Sequence, residues 1–205
     1  MKNIGVLRIV PIIAIDVIVP VLLILSFLFA DDFQKNVLLI TQYFFPLFSV
    51  WLSLFIIREF VETDGSEVYF ATGKVNILLN TFKIFLISMA NITILIIGCA
   101  ILDYDVGIEI VRIVSACLFC FGLINFTAMC FRVISAAVFV LIMYILINII
   151  LRSHIIRFPF FMSTNLITLN DIYSLCIPLC LCSIVLICLG KIFENKKRLF
   201  EKCLI

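Results

Sequence analysis

Long apolar runs, each bounded by a few charged or turn-forming residues, repeat along the whole chain. They fall near Val10–Ala30, Asn36–Ile57, Ile77–Leu102, Ile108–Phe131, Val133–Leu151 and Tyr173–Gly190. A hydrocarbon layer about 30 Å thick takes roughly 20 apolar residues per helix. With no water inside it, each backbone amide must be bonded within its own helix. The pattern therefore predicts an all-α polytopic membrane protein, one domain of six transmembrane helices spanning residues 1–205. Pro11, Asp16 and Pro20 interrupt the first run. Because proline removes a helix N–H, this run is expected to be a short surface lead-in followed by a kinked span. A cleaved signal peptide fits less well, since the run is longer than a signal core and Asp31-Asp32 turns abruptly into the next span.

Composition fixes the solvent. The chain is 65% hydrophobic and 14% charged, with a mean hydropathy of +1.31. Soluble domains carry about 45–50% apolar and about 25% charged residues, so lipid is the expected surrounding. Basic residues resist translocation, and six spans place both termini on one side. That side would hold Lys2, Arg8, Arg58, Lys74, Arg132, Lys191, Lys196, Lys197, Arg198 and Lys202, against Lys35, Arg112, Arg152 and Arg157 opposite. The bias predicts a multi-pass protein of the cell membrane with both termini cytoplasmic. On this topology only the connection 152–172, with Pro159, its phenylalanines and Asn165, is long enough to build external structure. It would form either a short reentrant or surface helix, or an amphipathic connector at the headgroups.

Several chemistries are excluded or left without support. Eight of the nine cysteines, among them Cys117 and Cys120, lie inside predicted spans, where buried thiols behave as small apolar residues. No metal site is expected. His154 is the single histidine and falls in the external connection, which removes a histidine-based metal centre or acid–base pair. Gly73-Lys74 is followed by Val75, and Val68 occupies the place of the first glycine of a phosphate-binding loop. No catalytic residue is assigned, and the chain is not expected to be an enzyme.

Charges inside spans cost at least about 2.5 kcal/mol near the bilayer centre and are usually paired or face a cavity. Asp16 and Lys83 fall near the same side, so they are expected to approach each other or a shared wet crevice. The alternative is that Lys83 snorkels to the headgroups and Asp16 sits in the interface. Glu109 and Arg112, three apart on one helix face, can pair. Asn80, Asn91, Asn125 and Asn148 can bond between helices, worth on the order of 1 kcal/mol each, or line a path.

The longest polar interruption in the first 100 residues is Arg58–Asn76. Arg58–Glu62 can prolong the second helix past the membrane. After Gly65, Ser66 is expected to cap a short helix at Glu67-Val68-Tyr69-Phe70, an amphipathic turn whose apolar side would suit a partner groove. Together with Phe45-Pro46-Leu47-Phe48-Ser49-Val50-Trp51 in the second span, Arg58–Glu62 and Gly65–Tyr69 resemble the elbow of small six-span permeases of type-2 ABC transporters. That resemblance implies a cytoplasmic coupling helix between the second and third spans, docked on a separate ABC ATPase through Glu62, Glu67, Val68, Tyr69 and Phe70. It implies ATP and magnesium in the ATPase and none in this chain, a second permease, identical or paralogous, as membrane partner, and no nucleic acid. The expected cargo is peptide, lipid-like or drug-like, including antimicrobial-peptide export or self-immunity. One departure is that the connection before the last span shows no clear pair of reentrant helices. Two alternatives are a ligand-binding subunit of an energy-coupling vitamin importer, whose small-residue seam is missing where Ala14 is followed by Ile18, and a standalone membrane immunity protein.

Overall fold

A computed structural model describes residues 13–29, 33–62, 76–101, 107–151, 159–163 and 166–202. Among them there is no strand, and six helical segments account for nearly everything. We number them α1 (a π-turn at Ala14–Ile18 continued by Val19–Phe29), α2 (Phe33–Val61), α3 (Ile77–Ile101), α4 (Glu109–Phe131), α5 (Ile134–Leu151) and α6 (Leu169–Asp171, a π-turn at Ile172–Cys176, then Ile177–Lys202). Five are long and apolar enough to cross a membrane, as expected of a multi-pass membrane protein. The sixth expected span is the exception: within the described residues the first run yields only a shorter apolar helix, Asp16–Phe29.

Both π-turns have a readable cause. Ala14–Ile18 ends two residues before Pro20, and Ile172–Cys176 ends two residues before Pro178. A proline cannot donate to the carbonyl four residues back and its ring clashes with it, so the preceding turn widens toward i→i+5 bonding. Ile177 accordingly donates to the Ile172 carbonyl, five residues back. Between Pro178 and Lys202 nothing stops the helix, and α6 therefore overruns the expected Tyr173–Gly190 at both ends.

α4 is the central element, packed against α2, α5 and, most extensively, α6. Its approach to α6 depends on small residues: a Cβ at Gly122 would lie 2.8 Å from the Ser183 carbonyl oxygen, while Gly190 of α6 faces the Asn125 backbone. In lipid, where apolar surface gains nothing by leaving its solvent, such close backbone packing is a main source of association. Leu86, Ile87 and Ile94 of α3, and Phe139 and Ile150 of α5, point outward and stay exposed, which is the expected lipid face. Cross-bonds tie the core together. The Ser53 hydroxyl donates to the Thr81 carbonyl at 3.3 Å, and the Thr81 hydroxyl lies 3.4 Å from Asn125 Oδ1. The eight cysteines described are all free.

Candidate functional site: a buried latch and its link to the elbow

The contacts define two ends of the bundle. At the elbow end, α2 stops and α3 and α5 begin; at the far end lie the non-helical residues 159–163 and 166–168, the latter leading into α6. Helix N-termini leave unbonded amides with a partial positive charge. At the elbow end each is met by a carboxylate from another helix. Glu62, just past α2, accepts from the Ile134 amide at 2.7 Å, and Arg58 pairs with it at 3.4 Å across a partly exposed surface. Glu194 of α6, itself buried, accepts from the Ile77 amide at 3.3 Å. Lys191 then bridges Glu194 and Asn76 at 2.9 and 2.8 Å, and Asn76 caps α3 through the Leu79 amide. Beside this clasp an apolar groove of about 420 Å³ lies between α3, α4 and α6, walled by Leu79, Phe82, Leu118 and Ile184.

At the far end, the described residues 159–163 and 166–168 of the expected external connection carry no helix. Phe161, Met162, Ser163 and Ile167 are buried. Irregular backbone at such a place needs its polar groups satisfied by protein, and side chains from three helices supply this. Tyr144 Oη donates to the Pro159 carbonyl at 2.6 Å, and Asn148 Oδ1 accepts from the Phe161 amide at 2.8 Å. The Gln42 carboxamide engages Ser163 twice, donating to its carbonyl at 3.1 Å and accepting from its amide at 2.9 Å. Glu109 Oε1 accepts from the Ile167 amide at 2.7 Å, and its other oxygen pairs with Arg112. Both members of that pair are almost fully buried, at 2% and 1% side-chain exposure. A cavity of about 100 Å³ lined by Gly107, Glu109 and Ile167 lies beside the carboxylate. An aromatic column, Phe161–Tyr144–Phe119, with centroids 6.0 and 5.0 Å apart, continues inward from the latch.

The residues singled out from sequence distribute unevenly. Of the docking set, Glu62 is placed, whereas Glu67, Val68, Tyr69 and Phe70 lie outside the described residues. Asp16 accepts from Asn91 at 3.4 Å, and no ion pair joins it to Lys83. Lys83 is exposed on α3, eight residues or about 12 Å of helix from Asn91. Glu109 and Arg112 pair, Asn125 bonds toward α3, and Asn148 holds Phe161. Gln42 and Tyr144 were missed. A signal for Gln42 existed: Pro46, one turn later in α2, cannot donate to the Gln42 carbonyl, which marks a weak point beside a lone polar side chain. Among the described residues no three histidine, cysteine or carboxylate side chains converge as a metal site. Comparisons with family models, curated proteins and solved structures give no match to this chain.

Proposed function

We propose that this chain is the transmembrane permease subunit of an ATP-driven exporter, with ATP hydrolysis in a separate cytoplasmic ABC ATPase docked on the elbow 58–76. The supporting observation is the Glu62–Ile134 bond at 2.7 Å. It joins the end of α2, where the elbow begins, to the first residue of α5. Those same two helices carry Gln42 and Asn148, which hold the far-end stretch. Movement of the elbow would thus reach both helices at once and act on the latch at their other ends. A ligand drives a conformational change only by binding its two states differently, so ATP acts here through the ATPase contact. On this reading the elbow end is cytoplasmic, with both termini, and the latch closes the outer side. A second permease, identical or paralogous, completes the pathway. The cargo is peptide, lipid-like or drug-like, with antimicrobial-peptide export or self-immunity among its roles.

Copurification of the tagged chain from native membranes in mild detergent tests the proposal, with mass spectrometry of its companions. The expected result is an ATPase at near-equal stoichiometry that is lost in the Tyr69→Ala/Phe70→Ala variant. A chain that purifies alone, or with a bound small ligand and no ATPase, would overturn it in favour of a ligand-binding subunit.

A further inference from the structure

The far-end latch recognises main chain almost exclusively. Tyr144, Asn148, Gln42 and Glu109 all address backbone N–H or C=O groups of Pro159, Phe161, Ser163 and Ile167, and none of these bonds reads a side chain. The bonded residues Pro159, Phe161 and Ser163 alternate. Tyr144 and Asn148 stand one helical turn apart, about 6 Å along α5, which matches two residues of extended chain. Such a pattern is how proteins hold an extended peptide: main-chain bonds give affinity and alternate side chains give selectivity. The selective element here is Phe161, buried and packed beside Tyr144 with ring centroids 6.0 Å apart.

We infer that the cradle formed by Gln42, Tyr144, Asn148 and Glu109 is a binding site for an extended apolar peptide with an aromatic anchor, occupied at rest by the chain's own residues 159–163 and Ile167. The incoming peptide would take the bonds to Asn148 and Gln42, place an aromatic ring against Tyr144, and displace the resident stretch. The inference rests on the transporter reading for the origin of the peptide, while binding is a property of this chain alone. A tethered segment competes at an effective concentration in the millimolar range, so free peptide meets a largely filled site in the unaltered protein.

The test therefore frees the cradle without touching it. Phe161→Pro/Ser163→Pro removes the two amides that Asn148 and Gln42 accept from and leaves every cradle side chain in place. The probe is a fluorescent synthetic peptide, Pro-Phe-Phe-Met-Ser-Thr-Asn-Leu-Ile-Thr, copied from residues 159–168 and titrated against the chain in nanodiscs, with empty nanodiscs as reference. Binding is expected to the proline variant and at least tenfold less to the unaltered chain. N-methylation of the probe at its second phenylalanine and its serine should weaken binding about tenfold per group, the worth of one hydrogen bond. Uptake no greater than by empty nanodiscs, or indifference to N-methylation, overturns the inference. Should the proline variant not fold, hydrogen exchange on the unaltered chain decides. Millimolar probe is expected to speed exchange at Phe161 and Ser163, and unchanged rates overturn the site. An ATPase that copurifies while the probe fails to bind would leave the transporter standing and remove the peptide site alone.

Discussion

Gln42 carries an unusual share of the far end because a carboxamide holds its donor and its acceptor on separate atoms and so can donate to and accept from the same residue. Its two bonds to Ser163 satisfy both backbone polar groups of that buried residue. Replacement by leucine keeps the bulk and strands an N–H and a C=O, each at a cost of about 1–3 kcal/mol. Gln42→Leu is thus expected to lower the melting temperature in detergent and to speed hydrogen exchange at Ser163 by one to two orders of magnitude. Unchanged protection at Ser163 would mean that something other than Gln42 holds the stretch. At this scale the sequence was legible where chemistry is local. Glu109 and Arg112 could be paired from their spacing alone, because three residues of helix bring them to one face. The bonds of Gln42 and Asn148 to residues 121 and 13 positions away depend on how a non-helical stretch enters the bundle. No periodicity encodes that.

Helices were the most legible objects in this chain, since an apolar run of membrane length bounded by charge has one stable form in lipid. The ends of α3, α4 and α5 lie within a residue or two of the expected runs. The extra length of α6 was hidden because its charged continuation past Gly190 looks, by hydropathy, like a tail. Interhelix distance was not legible either, although glycine determines it at one point. A methyl group at Gly122 would meet the Ser183 carbonyl oxygen at 2.8 Å, whereas at Gly98 it would meet nothing within 4 Å. Gly122→Ala should consequently force α4 and α6 apart and destabilise the fold by about 1–3 kcal/mol. Gly98→Ala should be neutral or stabilise by roughly 0.5–1 kcal/mol, through the smaller loss of backbone freedom on folding. Parallel thermal melts of the two variants decide the point, and equal melting temperatures would show that α4 and α6 yield freely at Gly122.

Across the whole molecule, α2 and α5 form a frame joined at the elbow end by Glu62 and at the far end through residues 159–163. From Ile134 to Asn148 is fourteen residues, about 21 Å of continuous helix, stiff enough to carry displacement from one junction to the other. Pro46 gives α2 a break in its bond ladder one turn from Gln42, so bending there would move the latch while the elbow half of the helix stays straight. If the frame transmits, loosening one junction should be felt at the other. Glu62→Ala removes the acceptor for the Ile134 amide and is expected to speed hydrogen exchange at Phe161, although the two sites share no contact. Glu62→Gln retains an acceptor oxygen and should leave Phe161 protected. The comparison separates transmission from general destabilisation, because a global loss of stability would also raise exchange at Ile92 and Ile96, buried in α3 on neither path. Acceleration confined to the amides of 159–163 in the alanine variant would establish a mechanical link between the ends. Acceleration at Ile134 alone would mean that the frame is slack and that the latch opens by its own equilibrium.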